Sequence, residues 1–138
     1  MSTFKYAAGL SNVGSYQVSG IPYLTGSVLL SASFATNNSQ IKVEFPKVTK
    51  SVLIINTTGS NTPLRVHYNS LDGGNVESGK HFVTLPSNRD SIKLEHKCKE
   101  IYISLETAAA DGAFELVADL TGIDPKEMLI LTGSGLTD

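Results

Sequence analysis

The chain has no tryptophan, a single cysteine in 138 residues, and charged side chains at only 17% of its positions. The lone Cys98 excludes an internal disulfide and a cysteine-built zinc site. The shortage of charge, against roughly 25% in an average soluble domain, argues against a helical bundle, whose exposed faces carry Glu, Lys and Arg. No apolar run reaches the ~18 residues of a membrane-spanning helix. Lys5 is followed by no hydrophobic stretch, so a secretory signal is not expected. Nor do bases cluster: 11 Lys and Arg face 13 acids for a net charge of −2 and a pI near 5.9. The densest basic stretch, Lys93 to Lys99, is interleaved with Glu95 and bordered by Glu100. The electrostatic footprint of a nucleic-acid binder is missing. Together these absences predict a chain assembled in a cytoplasm, with neither membrane nor nucleic acid as its partner.

What fills the composition instead is small and neutral. Ser, Thr, Asn and Gly supply 48 of the 138 residues, and the length suits one domain with one core. The chain divides into three sections. Residues 1–26 show neither helical nor strand periodicity and are punctuated by Gly9, Gly14, Gly20, Pro22 and Gly26. Yet Phe4, Tyr6, Tyr16 and Tyr23 fall there and Lys5 is the section's only charge, unlike a disordered tail. An extended N-terminal arm lying against a surface is expected. Aromatic-rich and charge-poor composition is that of an interface core, so these four aromatics are candidate protein–protein contacts.

Residues 27–121 read as a β-sandwich domain. Ile41, Val43 and Phe45 alternate with Gln40, Lys42 and Glu44; Ile101, Ile103 and Leu105 alternate with Tyr102, Ser104 and Glu106. Phe114, Leu116, Ala118 and Leu120 alternate in the same way, and 52–55 is apolar on both faces, as for a strand covered on both sides. Turn signals at 58–61, 71–75 and 110–112 separate further runs at 64–68, 81–85 and 92–95. With a strand expected at 27–36, about eight strands follow one another. This spacing predicts an all-β, antiparallel sandwich of immunoglobulin-like or jelly-roll type, with a small closed barrel as the alternative. Residues 122–138 form a C-terminal segment. Asp124-Pro125-Lys126-Glu127 carries an N-cap, a proline at the first helical position and an acid three residues after the cap. A short helical turn and a tail are expected there, with Met128, Leu129 and Leu131 as further contact candidates.

No catalytic, cofactor-binding or metal site emerges, and the chain is not expected to be an enzyme. His67, His81 and His96 share no ligand spacing, and His96 with Cys98 makes at most half a metal site at period two. No GxSxG elbow is present, and Gly133-Ser134-Gly135 lacks the Lys-Ser/Thr of a phosphate loop. A lectin-like module is the alternative, since sandwiches bind sugars by stacking them on exposed aromatics. Here Phe34, Phe45, Phe82 and Phe114 fall mostly on faces expected to be buried, leaving Tyr68 and Tyr102 as stacking candidates.

The opening Ala8-Gly9-Leu10-Ser11-Asn12-Val13-Gly14-Ser15-Tyr16-Gln17-Val18-Ser19-Gly20-Ile21-Pro22-Tyr23 and the ending Leu131-Thr132-Gly133-Ser134-Gly135-Leu136-Thr137-Asp138 resemble small virion structural proteins of marine tailed phages, cyanophages included. The likeness covers both ends and extends to the sandwich only in style. It implies a non-enzymatic capsid decoration (cement) protein, localised to the virion and working as a homo-oligomer, preferably a trimer. Its partners would be itself and the major capsid protein or other virion proteins. A neck, baseplate or fibre position is equally compatible with the resemblance.

Overall fold

The computed structural model describes residues 22–59, 62–71 and 81–127. Among them lie eight strands: β1 (Pro22–Leu29), β2 (Ile41–Glu44), β3 (Thr49–Asn56), β4 (Leu64–His67), β5 (Val83–Leu85), β6 (Ser91–Leu94), β7 (Glu100–Leu105) and β8 (Gly112–Leu120). They form two four-stranded antiparallel sheets with strand orders β1-β8-β3-β6 and β2-β7-β4-β5. The sheets are separate and pack face to face, so the expected all-β sandwich forms and the closed barrel does not. Each early strand pairs with its mirror in the chain: β1 with β8, β2 with β7, β3 with β6, β4 with β5. The chain is thus paired like one long hairpin that has been folded over on itself.

The core is the set of inward positions that alternation selects. Val52 and Ile54 of β3 and Phe114, Leu116, Ala118 and Leu120 of β8 face Val43 of β2, Leu64 and Val66 of β4 and Ile101, Ile103 and Leu105 of β7. All are buried. Strand β3 is also largely covered on its second face, where Leu53 and Ile55 are half-buried, as its two-sided apolar run predicts.

Two expected boundaries move. The first strand starts at Pro22 and stops at Leu29, whereas it was expected at 27–36, and the boundary drawn at residue 26 falls inside it. Pro22 and Gly26, read as breakers, are what this strand tolerates or requires. Proline is admissible at the first residue of an edge strand. A Cβ on Gly26 would stand 2.8 Å from the Phe114 carbonyl oxygen, so only glycine allows β1 its approach to β8. Residues 31–37 then form a 3-10 turn (Ser31–Ser33) and a single α turn (Phe34–Asn37). The Asp111 carboxylate accepts from the Ser31 N–H at 2.7 Å, and the Ser39 hydroxyl donates to the Leu30 carbonyl. Asn38 closes the turn in the left-handed region at φ 57°, its N–H donating to Phe34 O at 2.9 Å.

At the far end, Pro125–Glu127 form a 3-10 turn in which Asp124 Oδ1 accepts from the Lys126 N–H at 2.9 Å, the cap read from the sequence. Residues 1–21 of the expected arm, and Met128 onward, lie outside the described residues.

Candidate functional site

Of the candidate contact residues, Phe4, Tyr6, Tyr16, Met128, Leu129 and Leu131 lie outside the described residues, and only Tyr23 is placed. It sits on the inward side of β1, half-buried, its ring edge-on to Phe45 with centroids 5.5 Å apart and its hydroxyl 3.5 Å from Glu44 O. Tyr23 therefore ties β1 to the opposite sheet. The large apolar side chains that β1 exposes are outward ones: Leu24 is 68% and Val28 54% exposed. They belong to a long neutral stretch, for no charged residue occurs between Lys5 and Lys42.

On the outer face of the sheet, Leu24 stands opposite Val117, and Val117 opposite Leu53. Val28 stands opposite Ala113. An apolar strip thus crosses the outer face from the β1 edge inward. The edge itself has no strand neighbour other than β8 among the described residues.

The outer face of the second sheet holds a cluster that alternation alone misses. His67 of β4 and Tyr102 and Ser104 of β7 occupy outward positions, yet all three are buried. The His67 ring is nearly coplanar with that of Tyr102, 4° apart in plane and 5.8 Å in centroid distance. Its Nδ1 is 2.7 Å from the Asn69 carbonyl oxygen and its Nε2 2.9 Å from Ser104 Oγ. A carbonyl can only accept, so Nδ1 carries the proton and Nε2 accepts from the Ser104 hydroxyl. Burial holds the imidazole below its usual range; the Asn69 carbonyl opposes that shift and the nearby Arg65 charge reinforces it. Beyond Tyr102, Lys42 bridges Glu100 at 2.9 Å and Glu44 at 3.0 Å, and these two carboxylates raise the pKa of its ammonium.

A serine hydroxyl donating to a neutral histidine is the geometry of a nucleophile and its base. Here Ser104 is fully buried, and the histidine is oriented by a backbone carbonyl in place of an acid. A reacting carbonyl would have no approach to Oγ. The arrangement fixes the segment after β4 onto β7, and Gln40, just before β2, holds the same segment by donating to Ser70 Oγ at 3.2 Å and accepting from the Leu71 N–H at 2.8 Å.

The half-site read at His96 and Cys98 does not assemble, because residues 95–98 run between β6 and β7 outside either strand. Cys98 is buried, with its sulfur 3.3 Å from Thr49 Oγ1, while His96 is exposed and meets the Tyr68 ring edge-on at 5.7 Å. Burial raises the Cys98 thiol pKa, which keeps it unreactive. The sugar-stacking candidates are also covered. Tyr102 is buried and Tyr68 half-buried, Phe45 and Phe114 are in the core, and Phe82 is covered by the Arg65 guanidinium 4.2 Å above its ring.

No protein-family model matches the sequence, and no relative is found among curated proteins.

Proposed function

We propose that this chain is a non-enzymatic structural protein of a tailed-phage particle, a decoration or cement protein that stabilises the shell by contacts between copies and with the capsid protein. The observation that carries the proposal is the neutral stretch from Tyr6 to Ile41, which contains β1, a strand with no neighbour but β8 among the described residues and with Leu24 and Val28 exposed. A charge-free, aromatic-bearing segment leading into an edge strand suits a chain whose surfaces meet other protein. The likeness of both ends to virion proteins points the same way, and a threefold assembly through residues 1–21 follows by analogy with other decoration proteins.

The sandwich is further proposed to be a jelly roll in preference to an immunoglobulin-like fold. The pairing of β1 with β8, β2 with β7, β3 with β6 and β4 with β5 supports this, since a long folded-over hairpin is how two Greek keys share two sheets. Jelly rolls serve viral shells and lectins alike, so the fold by itself does not choose a function.

Deleting residues 1–21, stopping short of β1, tests the proposal. The truncated chain should keep the circular dichroism of a folded β protein and lose co-sedimentation with phage heads lacking their own decoration. Co-sedimentation with unchanged affinity would refute the arm's role. Saturable binding on a glycan array, surviving the truncation, would favour the lectin alternative; sedimentation with tails in place of heads would move the protein to the neck, baseplate or fibre.

A further inference from the structure

A sheet edge presents unpaired N–H and C=O groups, and proteins blunt such edges with short strands, charge or proline. Among the described residues, three of the four edges are blunted. β2 has four residues and carries Lys42, tied to Glu44 and Glu100. β5 has three residues and ends against Pro86. β6 has four and carries the exposed Lys93. β1 is different: it has eight residues and no charge, and its proline stands at the first position, where it interrupts nothing.

We propose that β1 pairs antiparallel with β1 of a second copy of this chain, about a two-fold axis passing at Gly26. Joining two sheets edge to edge while keeping their inner and outer faces requires residues of like parity to stand opposite one another. Two registers give the longest overlap. An axis at Thr25 sets Leu24 against Gly26 of the partner copy and Val28 against Pro22 of the partner copy, so neither large apolar side chain meets another. An axis at Gly26 sets residues 23–29 of one copy against residues 29–23 of the other. Leu24 then meets Val28 of the partner copy, twice by symmetry, on either side of a glycine pair that has no side chains to intervene.

The same pairing lengthens the apolar strip of the outer face. It runs from Leu53 through Val117 and Leu24 to Val28 and Ala113 of the partner copy, and back again by symmetry. On the inner face Thr25 meets Ser27 of the partner copy, and Tyr23 meets Leu29 of the partner copy, with no charge to desolvate. A contact of this kind is isologous and closes on itself; backbone hydrogen bonds supply affinity and the alternate side chains supply register. It is separate from the contacts proposed for residues 1–21 and independent of the particle reading, since it concerns the isolated protein in solution.

Cross-linking of the full-length chain reads the register directly. Opposed Cα atoms lie about 4.5–5.5 Å apart in an antiparallel pair, within disulfide range. An equal mixture of Leu24→Cys and Val28→Cys chains should give a covalent dimer on mild oxidation. Either variant alone should not, because like positions then stand four residues apart, about 13 Å. Buried Cys98 does not compete. In parallel, Leu24→Lys should halve the weight-average mass in sedimentation, and Leu24→Lys with Val28→Glu should restore it in a salt-dependent manner, by opposing Lys to Glu across the two-fold. Circular dichroism should be unchanged throughout, as both side chains are exposed. A mixture that cross-links no better than its components overturns the proposal, and so does a Leu24→Lys chain of unaltered mass. Protection of the β1 amides from hydrogen exchange without cross-linking would assign the edge to another occupant, such as residues 1–21 of the same chain, and would likewise overturn it.

Discussion

Asn56 at the end of β3 is fully buried, and its amide joins the two sheets at one end of the sandwich. Nδ2 donates to the Thr62 and Leu85 carbonyls, each at 3.0 Å, and Oδ1 accepts from the Thr58 N–H at 3.0 Å. Thr62 lies two residues before the start of β4 and Leu85 closes β5, so one side chain holds the first sheet to two segments of the second. Asn56→Ala removes all three bonds without replacing them. A buried group left unpaired costs about 1–3 kcal/mol, and carbonyls with a second lone pair lose less than the N–H. The expected loss is about 3–5 kcal/mol, a large part of the roughly 5–15 kcal/mol that keeps a domain folded, and a melting temperature lower by about 10–20 °C. Asn56→Asp separates hydrogen bonding from volume. The carboxylate would face two carbonyl oxygens with no proton to give, so its pKa rises on folding. A group whose folded pKa is raised is most favourable below its unfolded value and loses stability as pH rises through the folded one. Asn56→Asp should therefore be more stable near pH 4 than near pH 7 relative to wild type. Urea unfolding followed by circular dichroism measures both. A loss under 1 kcal/mol for Asn56→Ala, or an Asn56→Asp deficit that ignores pH, would refute the bridging role.

Two further outcomes rest on particular contacts. Gly26→Ala places a methyl 2.8 Å from the backbone oxygen of Phe114, which cannot swing aside; it should cost about 1–3 kcal/mol, whereas Gly59→Ala, with nothing within 4 Å, should change stability by under about 0.5 kcal/mol in the same thermal melts. Equal effects at the two sites would contradict the close approach of β1 to β8. His67 is held below the ordinary histidine value of 6.5, chiefly by burial. As pH falls below 6.5 the unfolded chain takes up the proton first, so the stability His67 contributes is fully present above that pH and is lost below it, by up to about 1.4 kcal/mol per pH unit. Chemical unfolding at pH 7.5 and 5.5 should show that slope in the wild type and a flatter one in His67→Gln; matching slopes would remove His67 as its source.

Periodicity reports which residues share a face, and it located β2, β4, β7 and β8 closely because each keeps strict alternation beside a turn signal. It could not say what covers a face. Tyr102 and Ser104 alternate with Ile101, Ile103 and Leu105 as a solvated side would, yet they are buried with His67 in a polar cluster of their own. The signal that could have raised suspicion is that Tyr102, Ser104 and His67 are all uncharged where neighbouring outward positions are Lys42, Arg65 and Glu106. The beginning of β1 was hidden for a different reason. Pro22 and Gly26 lower strand propensity in isolation, and only the pairing with β8 turns them into an admissible first residue and a required gap. Strand partners are likewise set by tertiary packing, so the mirror pairing of the eight strands leaves no trace in local alternation. The shortage of charge, by contrast, was legible from composition and gains a location in the fold. The neutral stretch from Tyr6 to Ile41 contains the whole of β1, whereas β2, β5 and β6 are short and marked by Lys42, Pro86 and Lys93. An eight-residue edge without the usual guards invites pairing; beside three guarded edges among the described residues, it is the strongest physical reason to test β1 for a partner strand.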